Sequence, residues 1–233
     1  MARLHNLEIQ DVNILQWWRK PRKVSVVVDN DSWILPFAQE FVDRASATGD
    51  EAKLVRTHEK ILPGGIAFFL GCMKIAKPAT LARNHRNLVV HESDLPRGRG
   101  FAPVAWQILE GVQQIPVCLL DAANDADSGP VIYRDYIELH GHELLAEWRT
   151  LQGQKTTDLC WRFLNEELPP NGVAQEGEHS YYSRRRPDDS QLDPNKTIAD
   201  QFDLLRIVDN DRYPAFFEHR GMRYRLLVEM ENN

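Results

Sequence analysis

The chain predicts a doubly wound, mainly parallel α/β sheet, and three observations carry that prediction. Apolar runs of strand length at residues 24–28, 66–70 and 88–90 alternate with longer stretches of helical periodicity, the pattern of βα units rather than of a sandwich or bundle. One of these runs delivers His91 to its C-terminal end, where Pro96-Arg97-Gly98-Arg99-Gly100 turns into a helix opened by Pro103. That is how an open sheet presents a working side chain, because ligands collect outside the carboxyl ends of parallel strands. With 233 residues, 42% of them hydrophobic and 27% charged, the chain can bury a full core and still carry an appendage.

In the first 23 residues, Trp17 and Trp18, with Ile14 and Leu15, form an apolar face expected to dock this segment on the main domain. The basic cluster Arg19-Lys20-Pro21-Arg22-Lys23 after them reads as a surface turn. A first strand over 24–28 and the turn Asp29-Asn30-Asp31-Ser32 lead to a helix over 33–47, with Ser32 or Asp31 as its N-cap and Thr48-Gly49-Asp50 as its stop. Strands over 52–55 and 66–70 are separated by Pro63-Gly64-Gly65. No Gly-x-Gly-x-x-Gly follows the first strand, so the dinucleotide fingerprint is absent and nothing points to a nicotinamide enzyme.

Loop 71–75 leads into a short helix near 78–83, and the fourth strand covers 87–91. The helix that follows, 102–110, is expected to turn Trp106 and Ile108 inward. A fifth strand over 115–120, a polar loop over 121–129 and a strand over 131–137 lead to a long amphipathic helix over 143–165. Its Leu144, Leu145, Trp148, Leu151, Leu159 and Phe163 mostly keep helical spacing. His140 and His142 before it read as loop or cap residues, since no third and fourth metal ligand is arranged nearby, and no metal is expected. Leu168-Pro169-Pro170-Asn171-Gly172 closes the unit, and a hairpin of about 215–218 and 224–228 ends the appendage. The expected division is 1–23, a catalytic unit over 24–166, and an α+β extension over 167–233.

Composition narrows the function. No apolar run approaches the roughly 18 to 20 residues of a membrane span, and the first residues carry acids and no apolar core, so a cytoplasmic protein without membrane association is expected. Cys72, Cys118 and Cys160 are odd in number and widely spaced, which argues against a disulfide framework or a structural zinc site; Cys118 and Cys160 read as core residues. A net charge of −6 argues against nucleic acid as a partner. The local clusters at 19–23 and Arg184-Arg185-Arg186 remain candidates for a phosphate.

The stretch His91-Glu92-Ser93-Asp94-Leu95-Pro96-Arg97-Gly98-Arg99-Gly100, followed by Asp127-Ser128-Gly129, resembles the folate-dependent formyltransferases. Members of that family carry an Asn-x-His strand end, then Ser-Leu-Leu-Pro-x-x-Arg-Gly, and later an Asp-x-Gly. The interval between His91 and Asp127 also matches the family, but Val89 stands where its Asn is expected. In the extension, Arg184-Arg185-Arg186-Pro187-Asp188-Asp189, then Asp203-Leu204-Leu205-Arg206 and Tyr213-Pro214-Ala215-Phe216, are similar to the corresponding stretches of nucleotide-sugar N-formyltransferases. Asp203 replaces an Asn there, and the turn lacks a Gly. The resemblance covers roughly residues 24–228.

What the resemblance implies is a Rossmann-like formyltransferase fold and transfer of a formyl group from 10-formyltetrahydrofolate to an amine. His91 becomes the central catalytic group and Asp127 its orienting or proton-relaying carboxylate, a role imidazole suits because it titrates near neutral pH. The folate would lie against Cys72, Met73, Lys74, Ile75, Leu95, Ala122, Ala123, Asn124 and Asp125, with loop 71–75 offering backbone groups to the pterin ring. Ser93, Arg97, Arg99, Arg184, Arg185 and Arg186 would meet a nucleotide-linked amino sugar, and a homodimer is compatible with the family. The Val-Val-His variant and the Arg-rich extension look most like the formyltransferases of pseudaminic acid biosynthesis, which act on a UDP-linked 4-amino-4,6-dideoxy sugar. Two alternatives stand beside this: a methionyl-tRNA formyltransferase-like enzyme, and a folate-binding protein weakened in catalysis. Loss of the Asn amide would cost about 2.7–4 kcal/mol of oxyanion stabilisation. Asn87, on the same strand face, lies about 13 Å back and is a poor substitute.

Overall fold

A computed structural model describes residues 16–231. In chain order its first half runs β1 (Lys23–Val27), α1 (Leu35–Ala47), β2 (Glu51–Val55), β3 (Ile66–Phe69), α2 (Pro78–Leu81), β4 (Arg86–His91) and β5 (Arg99–Gly100). The second half runs α3 (Pro103–Leu109), β6 (Gln114–Asp121), β7 (Val131–Glu138), α4 (Leu145–Leu164), β8 (Tyr181–Tyr182), α5 (Phe202–Arg206), β9 (Ala215–His219) and β10 (Met222–Leu226). Six strands form the central sheet in the order β2-β1-β3-β4-β6-β7. The first four are parallel, and β6 and β7 are antiparallel additions beside β4. The sheet is therefore mainly parallel, as the βα alternation requires.

Strands covered on both faces read as continuous apolar runs, and β3 is buried at every position. On one face Val24, Val26, Phe68, Leu88 and Val90 pack against α1 and α4 through Phe41, Val42, Trp148 and Phe163. On the other, Val27, Val55, Ile61, Ala67 and Phe69 form a smaller cluster that Val89 joins. Side chains alternate across β4, so Leu88 and Val90 face α4 while Val89 faces away. That alternation decides what the strand's last residues present to each side.

Several expectations need correction. Helix α1 begins at Leu35, its N-cap is Ile34 with no side-chain bond, and Pro36 in the first turn presets the backbone instead of Ser32 or Asp31. Arg22 belongs to no surface turn: it is 4% exposed, its Nη2 lies 2.8 Å from Asp50 Oδ2, and its Nη1 donates to the Leu164 carbonyl at 2.6 Å. Trp18, buried, donates its indole N–H to Glu167 O at 3.1 Å, and Trp17 stacks on His85 at 4.9 Å, so these two side chains dock as expected. Ile14 and Leu15 lie outside the described residues. Trp106 is not turned inward; half-buried, it donates to Ser183 O at 2.8 Å and stacks on Tyr182. Cys118 and Cys160 are core residues at 0% exposure.

The extension has a small core of its own, Leu192, Leu205, Val208 and Ala215, which α5 and the β9–β10 hairpin enclose. Two of the contacts that fasten it to the main unit are central. Arg206, 2% exposed, pairs with Glu143 before α4 at 3.2 Å and with Asp203 at 2.9 Å, and its carbonyl accepts the Trp148 indole N–H at 3.0 Å. Strand β8 pairs in parallel with β5, immediately after the His91 turn. Strands of two residues are too short to leave a periodic signal.

Candidate active site

His91 ends β4 on the face of Val89 and is 6% exposed. Its Nε2 lies 2.8 Å from the Gly98 carbonyl, and its Nδ1 lies 3.5 Å from Asp127 Oδ1. A carbonyl only accepts, so Nε2 carries a proton in this contact and Nδ1 faces the carboxylate. The second contact is attractive only with a proton between Nδ1 and Oδ1. The pair is thus built to take up and pass on one proton.

Asp127 is held through both its side chain and its backbone. Its Oδ2 accepts the Gly100 N–H at 3.0 Å, and Gln175 Nε2 donates to the Asp127 and Gly129 carbonyls at 2.8 Å each. Its own φ of 56° lies in the left-handed region, which Asp tolerates better than most residues. Gly129 permits the return of this loop, since a Cβ there would stand 1.7 Å from the Asp121 carbonyl oxygen. Gly100, at φ 104°, does the same for the β5–β8 contact: a Cβ would stand 2.5 Å from Tyr182 O. The Asp-x-Gly and Arg-Gly-Arg-Gly spacings therefore serve close backbone approach around the histidine.

A hollow of about 560 Å³ opens over the carboxyl ends of β1, β3 and β4 and takes in both His91 and Asp127. Cys72, Met73, Lys74, Ile75, Ala122, Ala123 and Asp125 line it, as do Arg184 and Arg185. The other expected residues stand elsewhere. Leu95 packs on Cys118 and Leu120 and lines a separate cavity with Arg97; Asn124 does not line the hollow. Ser93 is buried beneath Gly98, Arg99 is held by Gln175 at 2.6 Å, and the Arg186 backbone N–H donates to the Asp189 carboxylate. Asn87 is turned away from the hollow, its amide donating to Leu81 O at 2.8 Å.

Two N–H groups of loop 71–75 are already engaged within the protein. The Met73 and Lys74 N–H groups both donate to the Asp29 carboxylate at 2.8 Å. Burial alone would raise the Asp29 pKa, but the Asn30 side chain and these two amides hold it below the usual carboxylate range. What the loop presents is apolar: Met73 is 45% and Ile75 64% exposed, with Val89, Leu120 and Ala122 also lining the hollow. Such walls fit a flat heteroaromatic ring. Cys72 is unsuited to nucleophilic work, because burial pushes its thiol up to about 12.

Sequence reasoning missed the α4 side of the hollow. Trp148, Gln152 and Thr156 project into it at one-turn intervals, beside Trp33, Arg149 and Glu92. The available signal was Gln152 and Thr156, two polar residues interrupting an otherwise apolar buried stripe. Burial pushes the Glu92 carboxyl above the usual range, against the influence of His91 and of the Gln152 side chain. Arg149 is held by Asp209 of the extension at 3.4 Å.

No family model matches the chain. Among solved structures it is similar to the methionyl-tRNA formyltransferase from Clostridium thermocellum, with a TM-score of 0.69 and 24% identity over 86% of this chain and 89% of that one. It is also similar to a sugar N-formyltransferase from a Shewanella species, with a TM-score of 0.66 and 14% identity over 90% of this chain and 98% of the other. The chain has the formyltransferase fold. A third structure with this fold is that of HypX from Aquifex aeolicus in complex with tetrahydrofolic acid, matched over 88% of this chain and 37% of that one at a TM-score of 0.67 and 12% identity. The formyltransferase fold places His91 where β4 meets its antiparallel neighbour β6, the point at which the sheet changes direction.

Proposed function

We propose that the protein is an N-formyltransferase that moves a formyl group from 10-formyltetrahydrofolate to the amine of a nucleotide-linked amino sugar, with a UDP-linked 4-amino-4,6-dideoxy sugar of pseudaminic acid biosynthesis as the narrower candidate. The observation that carries this reading is the His91–Asp127 pair, closed to 3.5 Å within one hollow at the sheet's carboxyl edge. Acyl transfer to an amine needs a proton acceptor beside the reacting carbon, and this pair supplies one. The apolar wall from Met73 to Val89 suits the pterin, and Arg184 suits a diphosphate; the Arg185 guanidinium beside it already donates to the Ile207 and Asp189 carbonyls at 3.1 and 3.2 Å. Fold neighbours that act on sugars and one that holds tetrahydrofolate point the same way.

Transfer to initiator tRNA is the rival supported by one of the fold neighbours. The net charge of −6 disfavours it, because phosphate backbones are gripped by basic surfaces. A folate-binding role with weakened catalysis draws on Val89, which lines the hollow without a donor. One assay separates the three: 10-formyltetrahydrofolate is offered with UDP- or dTDP-linked 4-amino sugars, or with initiator tRNA, and free tetrahydrofolate is measured. Release dependent on an amino sugar is the expected result. Release only with tRNA, or tight folate binding with no release, overturns the proposal.

A further inference from the structure

The reaction just proposed leaves one proton without a carrier. A sugar amine is largely an ammonium near neutral pH, and its nitrogen cannot attack until an N–H bond gives up its electron pair. The His91–Asp127 pair lies on one face of the β4 end, the face of Val89 and the apolar folate wall. Glu92 follows His91 directly, on the side of Val90, and lines the hollow together with Gln152 of α4.

The surroundings of Glu92 are those of a cation site. Thr156, one turn beyond Gln152, has its hydroxyl buried with no partner among the described residues. Trp148, one turn before Gln152, walls the same space. The Glu92 backbone carbonyl accepts Gln107 Nε2 of α3 at 2.7 Å, which fixes the residue in place. The charged groups that act on its carboxyl are His91 and Asp127. Arg149 of α4 is engaged by Asp209, and Arg184, Arg185 and Arg212 line the extension side of the hollow. No lysine or arginine forms an ion pair with Glu92 among the described residues. A half-buried carboxyl with the neutral Gln152 side chain and an idle hydroxyl on the same wall, and no lysine or arginine paired with it, is a place where a positive charge is stabilised.

We propose that Glu92 is the acceptor-amine subsite: its carboxylate holds the incoming ammonium, with the Gln152 side-chain carbonyl and the Thr156 hydroxyl around the same nitrogen, and takes the proton that frees the lone pair. An N–H bond breaks and an O–H bond forms on Glu92. The nitrogen then bonds to the formyl carbon, the bond from that carbon to N10 of the folate breaks, and the second proton lost by the nitrogen passes through His91 to N10. Glu92 returns its proton to solvent after product leaves. A carboxyl whose pKa burial has raised is a better proton acceptor than an exposed one.

This role rests on the formyl-transfer reading, and the test keeps the two apart. Wild type, Glu92→Gln and Glu92→Asp are assayed with 10-formyltetrahydrofolate and the UDP-linked 4-amino sugar, and binding of the 4-hydroxy counterpart is measured alongside. Glu92→Gln is expected to lower kcat/KM for the amino sugar about a hundredfold. It should also lose the acid limb of the pH profile while keeping the folate KM and the affinity for the hydroxy sugar; Glu92→Asp should recover part of the rate. If wild type turns over and Glu92→Gln matches it in rate and pH profile, the subsite is overturned and formyl transfer stands. If wild type turns over no nucleotide-linked amino sugar, both fall. Should Glu92→Gln fail to fold, wild-type binding decides: preference for the amino over the hydroxy sugar at about pH 8, lost at about pH 5, supports the subsite, and equal binding at both overturns it.

Discussion

On the proposed reading His91 and Asp127 act as one unit, and each is fixed by a different backbone feature. The Gly98 carbonyl sets which imidazole nitrogen carries hydrogen, and the Gly100 N–H sets which carboxylate oxygen faces the ring. His91→Asn removes the proton acceptor, and Asp127→Asn replaces the carboxylate that stabilises its charged form. Each is expected to lower formyl transfer by about 10²–10⁴-fold, the range for loss of a general base. Because the two share one proton, the double variant should be no slower than the worse single one. Folate-binding and urea titrations check that both variants remain folded; full activity in either would remove the pair from the mechanism. Val89, beside His91, is packed against Leu120 and Cys118 as well as lining the hollow, so its side chain contributes to the core without supplying a donor.

At the level of elements, the strands were legible because two-sided burial writes continuous apolar runs, and β1, β3 and β4 came out within a residue or so of their expected ends. The end of β4 was legible as a candidate site because ligands collect outside the carboxyl ends of parallel strands, and a glycine-rich turn follows the histidine there. Pairing that depends on two residues from distant segments leaves no such trace. β5 and β8 are of that kind, and so is Gln175, an ordinary polar residue in the extension until its amide is seen bridging the Asp127 and Gly129 carbonyls. Arg22 misled for a similar reason, since a basic run looks solvated until Asp50 is placed beneath it. Gln175→Leu should therefore loosen the acid loop. The expected stability loss is about 2–4 kcal/mol, roughly 1 kcal/mol for each of the three hydrogen bonds to Asp127, Gly129 and Arg99, with a kcat loss out of proportion to it and the folate KM unchanged. Stability and rate falling together in urea melts and turnover would instead make Gln175 a purely structural residue.

Over the whole molecule, titrating groups pull stability in opposite directions, and the Glu92 site can be read from that balance without any substrate. Asp29, Asp135, Glu143 and Asp209 each lie below the ordinary carboxylate range in spite of burial, through hydrogen bonds to side chains or backbone amides. Depressed carboxyls contribute stability above the unfolded value of about 4, and that contribution is lost as pH falls through their folded values. Glu92 works the other way. Burial raises its folded pKa, so the native state binds the proton more tightly than the unfolded chain, and stability is lost as pH rises from the ordinary carboxylate range through the raised value. The four depressed groups are common to wild type and Glu92→Gln and cancel in the difference between them. Glu92→Gln, which keeps the shape and carries no charge, should thus gain on wild type steadily as pH climbs and converge with it in acid. Urea midpoints of the two proteins from about pH 4 to about pH 8 measure this directly. Parallel curves would mean that the Glu92 carboxyl titrates as it does in the unfolded chain, and a hollow that leaves it so would exert no pull on an ammonium.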